Sequence, residues 1–119
     1  MIVDTSVWID HFREPNVDLA SFLEEGRVTT HPFVIGELAC GSLARRDEIL
    51  RLLAALPAAP LATDDEVLAF IQRHRLHGAG LGWIDVHLLA SARLIRQSLW
   101  SVDRRLRREA VRLGLTDLH

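Results

Sequence analysis

Short apolar runs alternate with longer amphipathic stretches along the whole of this 119-residue chain, and that alternation limits its fold more than any other feature. IVDT (2–5), RVTTHP (27–32) and SLWSVD (98–103) read as short strands, and LTDL (115–118) as a last one. AAPLA (58–62) fits an edge strand, where its proline is tolerated. Between them lie helical patterns. A first helix starts at Thr5 or Ser6, carries Val7, Ile9 and Phe12, and breaks at Pro15 and Asn16. DLASFLEEG (18–26) places Leu19, Phe22 and Leu23 on one face, with Gly26 where a helix ends. FVIGELACGSL (33–43) and ARRDEILRLLAAL (44–56) follow, the second stopped by Pro57. Thr63 or Asp64 caps a helix running to about His77, and a glycine-rich loop, LHGAGLG (76–82), comes next. WIDVHLLASARLIRQ (83–97) is apolar on most sides, which predicts a central helix; DRRLRREAVRLG (103–114) is the last helix. Strands alternating with helices predict an α/β sandwich around a mostly parallel sheet. Such sheets collect ligands outside the carboxyl ends of their strands, where Asp4 and Asp103 fall.

The length predicts one domain spanning 1–119, with no linker or repeat to divide it. The single cysteine, Cys40, allows no internal disulfide and fits a reducing cytoplasm; its apolar neighbours predict a buried, inert thiol. The first residues lack the basic region of a secretory signal. The longest apolar stretch, 52–62, is too short to span a bilayer and holds two prolines. Net charge is −2, so overall basicity gives no argument for nucleic-acid binding. All 14 basic residues are arginine, which excludes a P-loop lysine and Schiff-base chemistry. The missing lysine also disfavours a response-regulator receiver. DTSVW lacks the second aspartate, two residues on, that a haloacid-dehalogenase-type phosphatase needs.

Four carboxylates stand among apolar neighbours: Asp4 after Met-Ile-Val, Glu37 within FVIGELA, Asp85 within WIDV, and Asp103 after LWSV. Taken singly, three have structural explanations. Asp4 and Asp103 suit helix caps, and Asp85 suits a first helical turn. Glu37 has no cap to make and no arginine at helical spacing. Taken together, strand ends brought side by side by an α/β sheet would make a hard-oxygen site suited to Mg²⁺ or Mn²⁺. Burying such groups without a cation is costly, so a positive partner is expected. Thr5, Ser6 and Ser101 are placed to orient the carboxylates by hydrogen bonds.

IVDTSVWI, VIGEL, WIDVHLLASA and LWSVDRRL, in that order, resemble the PIN-domain ribonucleases, and most closely the VapC-type toxins of bacterial toxin–antitoxin pairs. The resemblance implies a five-stranded parallel sheet between helices and a metal-dependent endoribonuclease. It also implies an acidic quartet of Asp4, Glu37, Asp85 and Asp103 around Mg²⁺ or Mn²⁺, with Ser101 where the family often has Thr or Ser. A homodimer, an RNA substrate and a VapB-like antitoxin whose tail blocks the site are further implications.

Arg104, Arg108 and Arg112 form one stripe on the last helix, with Arg105 and Arg107 beside it. It reads equally as a solvated face or as an RNA-backbone track. His74 and His77 have ligand spacing but no third partner, so they read as surface residues. LRLLAAL (50–56) offers more leucines than one buried face needs, a core or dimer feature. From a different functional class, a non-catalytic PIN-like module binding RNA or protein stays open.

Overall fold

The computed structural model describes residues 1–116. Its elements are β1 (Ile2–Val3), α1 (Thr5–Arg13), α2 (Val17–Glu24), α3 (Pro32–Cys40), α4 (Arg46–Ala54), α5 (Asp64–His74), α6 (Trp83–Ile95), β2 (Leu99–Trp100) and α7 (Arg104–Arg112). The strands β1 and β2 pair in parallel, Ile2 opposite Leu99 and Val3 opposite Trp100. Flanking backbone extends this pair. The Thr29 N–H donates to the Met1 carbonyl at 2.7 Å, and the Thr30 N–H donates to Pro57 at 2.8 Å. On the other side the Leu99 N–H donates to Leu115 at 2.6 Å. Extended backbone thus lies side by side in the order 58, 29–30, 2–3, 99–100, 115. Only β1 and β2 make a regular ladder among the described residues. The segments at 29–30 and 58 touch through single parallel bridges. Proline explains much of this: Pro32 opens α3 two residues after Thr30, and Pro57 and Pro60, which lack N–H donors, flank Ala58. The last expected strand, LTDL, is described only at Leu115 and Thr116; the rest lies outside the described residues.

Helix positions follow their sequence signals closely. Thr63 accepts from the Glu66 N–H at 3.1 Å, and Glu66 accepts from the Thr63 N–H at 3.0 Å, a reciprocal cap that opens α5. Gly26, at φ +70°, turns the chain out of α2. The expected central helix is central: Val86 through Ala92 are all buried along α6. Leu88 and Leu89 meet the buried sheet residues Ile2, Val3 and Leu99 in one core. Fully burying each aliphatic side chain contributes about 1.5–3 kcal/mol.

A buried polar chain fixes α3 against α6. The Phe33 N–H donates to His31 Nδ1 at 3.0 Å, so the ring's proton sits on Nε2, 3.0 Å from Ser91 Oγ. Ser91 in turn donates to the Pro60 carbonyl at 2.9 Å. Burial, and next the proximity of His87, push the His31 pKa down to about 4, so the ring is neutral at ordinary pH. Cys40 corrects an expectation: it is exposed, not buried, because α3 ends there and Gly41 leads the chain away from the core.

Candidate active site

Asp4 follows β1 and caps α1. It is 6% exposed, and its Oδ2 is fixed by two hydroxyls: Ser6 Oγ donates at 2.6 Å and Ser101 Oγ at 2.9 Å. Each hydroxyl also accepts from the chain after β2. The Val102 N–H donates to Ser6 at 3.2 Å and the Asp103 N–H donates to Ser101 at 3.0 Å. These bonds tie the end of β1 to the end of β2 across more than ninety residues of sequence. Asp4 Oδ1 accepts no hydrogen bond from the described residues, so one oxygen orients the group and the other faces outward chemistry.

Asp103 caps α7, its Oδ1 accepting the N–H groups of Arg105 and Leu106, both at 3.1 Å. Asp85 stands in the first turn of α6 and reaches back to accept the Gly82 N–H at 2.9 Å. Glu37 lies on α3 and accepts from Thr5 Oγ1 at 2.9 Å. Of the residues expected to support the carboxylates, Ser6 and Ser101 hydrogen-bond Asp4, and Thr5 hydrogen-bonds Glu37. Sequence reasoning missed Gly82, although Gly82-x-x-Asp85 has the spacing of a capping box.

The four carboxylates sense one another. Burial raises the pKa of Glu37 first; the Thr5 hydrogen bond opposes this, and the charges of Asp4 and Asp85 add to it. Asp85 is raised first by burial, opposed by the Gly82 N–H, and raised further by Asp4 and Asp103. Asp85 is thus linked by charge to all three others, and no arginine enters either balance. Beside any bound cation, helix geometry favours these charges. Three of the carboxylates sit at the N-termini of α1, α6 and α7, where unpaired N–H groups and the aligned peptide dipoles favour negative charge. Burial also differs from the expectation of four buried acids: Glu37 and Asp103 are exposed and Asp85 is half-buried. Among their apolar sequence neighbours Val34, Leu38 and Val86 are buried, whereas Trp83 and Val102 are exposed beside the carboxylates.

The donor set is hard oxygen throughout, which fits Mg²⁺ or Mn²⁺ rather than a softer ion. Among the described residues no three Asp, Glu, His or Cys side chains close around a common point. A site of this openness fits an ion that keeps several waters and takes one or two direct carboxylates.

The arginines divide. Arg112 donates to Glu109 at 2.6 Å and to the His74 carbonyl at 2.7 Å, which ties α7 to the end of α5. Arg108 lies 3.7 Å from the same glutamate. Arg104 and Arg105 are exposed, and neither guanidinium forms an ion pair among the described residues. A large groove, about 1090 Å³, lies elsewhere among the described residues, between α5 and the end of α6, and none of the four carboxylates lines it.

Known proteins agree with this arrangement. The PIN domain family matches residues 1–111. Ribonuclease VapC32 of Mycobacterium tuberculosis, in strain H37Rv and in strain CDC 1551 / Oshkosh, is 44% identical over 116 residues. That match covers 97% of this chain and 94% of the relative. An ordered set of acidic motifs, a parallel β1–β2 pair with carboxylates at its ends, and identity across nearly the full length place the chain in the PIN-domain family, beside VapC.

Proposed function

We propose that the chain is a divalent-metal-dependent endoribonuclease, the toxin of a VapBC-like pair, acting as one PIN domain over 1–119. One observation carries the proposal: Asp4, Glu37, Asp85 and Asp103 lie near enough for their charges to act on one another, three of them at the N-termini of α1, α6 and α7 and Glu37 on α3. The 44% identity to a protein named a ribonuclease supports the choice of RNA.

Asp4 and Asp85 would be the principal metal-holding groups; each, like Glu37 and Asp103, has one oxygen engaged in hydrogen bonds and the other left for an ion or its waters. Glu37, held by Thr5, and Asp103, which caps α7, would hold ion-bound waters or complete the shell. A bound Mg²⁺ or Mn²⁺ supplies an acidified water and offsets charge on the phosphate. Ser6 and Ser101 keep Asp4 from rotating away.

The side-by-side backbone at 58, 29–30, 2–3, 99–100 and 115 supports a five-stranded sheet in that order. No described helix is long and apolar enough to cross a membrane, in keeping with a cytoplasmic protein. A VapB-like antitoxin is the partner suggested by the relative's name, with its tail covering the carboxylates. Leu52, 63% exposed on α4, supports a homodimer or an antitoxin contact there.

The test is cleavage of bacterial RNA by purified protein freed of any partner, with Mn²⁺, with Mg²⁺ and with EDTA. Cleavage that needs the metal is the expected result. A folded protein that binds no Mn²⁺ and cleaves nothing would instead be a non-catalytic binding module.

A further inference from the structure

A polyanionic substrate approaching four carboxylates needs a cation that the carboxylates have not already captured. Gly80 seats such a cation. It lies in the glycine loop at φ +80°, two residues before the Gly82 N–H that holds Asp85. The Arg105 side chain rests directly on it: a methyl group at Gly80 would fall 2.7 Å from Arg105 Cδ and 3.1 Å from Nε and Nη1. Arg105 itself belongs to the first turn of α7, where its N–H donates to Asp103. One arginine thus spans the two turns that hold Asp85 and Asp103. Its guanidinium makes no ion pair or hydrogen bond with the described residues. Arg108 and Arg112, by contrast, share Glu109.

We propose that Arg105, seated on the bare backbone of Gly80, is the substrate-binding arginine of this site and takes an RNA phosphate beside the bond to be cut. The seat has two physical effects. The bare glycine leaves room for the end of the Arg105 side chain close to the backbone, and the N–H fork of the guanidinium, with no partner among the described residues, is available to a phosphate. Held on the backbone, it also stays off the carboxylates and leaves them to the metal. The same contact explains why the loop over 76–82 needs a glycine at position 80: a side chain there would displace the arginine as well as strain the turn. The inference rests on the nuclease reading for its substrate but names a residue that reading does not require.

Binding of a fluorescent 12-nucleotide single-stranded RNA, followed by anisotropy in an Asp4→Asn background that cannot cleave it, tests the inference. Arg105→Ala should weaken binding by about tenfold and lower the salt slope by about 0.7, the share of one phosphate contact. Mn²⁺ affinity, measured separately by calorimetry with Asp4 intact, should stay within about twofold. Arg105→Lys should recover most of the salt slope and part of the affinity. Gly80→Ala should weaken RNA binding when Arg105 is present and add nothing once Arg105 is alanine. If Gly80→Ala fails to fold, the two Arg105 variants still decide. Unchanged RNA affinity and slope in Arg105→Ala would overturn the inference, as would an equal loss from Arg96→Ala at the far end of α6. A fall in Mn²⁺ affinity as large as the fall in RNA affinity would make Arg105 a structural latch instead. If the native protein cleaves no RNA while the Arg105 effect persists, the nuclease reading fails and the phosphate site stands.

Discussion

The two ends of α6 differ in almost every respect. At its start, Asp85 joins Asp4, Glu37 and Asp103 at a shallow rim, fixed by serine, threonine and backbone N–H groups. At its finish, Arg93 and Arg96 face Arg73 and His74 across the groove of about 1090 Å³. Acids raise one another's pKa at the first end. At the second, burial and then Arg93, Arg73 and Arg112 lower that of His74. Helix polarity sorts these charges, since N-termini favour anions and C-termini favour cations. The difference teaches that groove size is a poor guide here. Among the described residues the four coupled acids gather at the rim, and none of them lines the larger hollow.

Breaking the acidic end should have the largest effect. Asp4→Asn should lower metal-dependent RNA cleavage on the order of 10³-fold or more, ~4 kcal/mol of barrier, with an unchanged far-ultraviolet dichroism spectrum. Full activity in this variant, or in Asp85→Asn, would remove the carboxylates from the mechanism. Ser101→Ala removes the hydroxyl that holds Asp4 and accepts the Asp103 N–H. It leaves Asp4 charged but takes away the 2.9 Å bond, so Mn²⁺ affinity should drop roughly 10–100-fold. An affinity equal to that of the native protein would mean Ser6 suffices.

Stability should move the other way. Asp85 and Glu37 are held above their ordinary values of 3.8 and 4.5, so the folded chain binds protons that the unfolded chain has already released. Stability therefore falls as pH rises from those values through the higher folded ones, and stays lower at neutral pH. Asp85→Asn should raise the melting temperature at pH 7 by about 1–3 °C in metal-free buffer, a modest figure because the group is half-exposed. Added Mn²⁺ should stabilise the native protein and not this variant. A lower melting temperature for Asp85→Asn would mean that its bond to Gly82 matters more than charge relief.

The far end should respond least. Arg93→Ala should let the His74 pKa rise toward 6.5 in an NMR titration, with cleavage within about twofold of native. A tenfold loss of cleavage would mean that the two ends act together on one substrate.

Much of this molecule is legible in its sequence because the signals are local. Thr63 and Glu66 form the cap that their spacing announces, and Asp103 caps α7 as expected. Asp4 and Asp103 cap the helices that follow β1 and β2, and Asp85 stands in the first turn of α6 after the glycine loop, so the local positions expected from the sequence are the ones these carboxylates take. Glu37, with no cap to make, reaches the group only through packing of α3. Sheet extent is less legible, because strands of two residues depend on neighbours that sequence does not name. The contact of Arg105 with Gly80 and the bond of Ser101 to Asp4 join residues 25 and 97 positions apart, beyond any local pattern. Cys40 misleads because apolar neighbours say nothing about which way a last helical residue turns.

That the acids are also caps restricts how such a gene can decay. Replacing Asp4 or Asp103 by alanine removes a helix cap, at a typical cost of about 1 kcal/mol, together with the charge. Asparagine keeps the cap and silences the charge. A lineage escaping the burden of its own nuclease should therefore accumulate asparagine or serine at these two positions far more often than alanine.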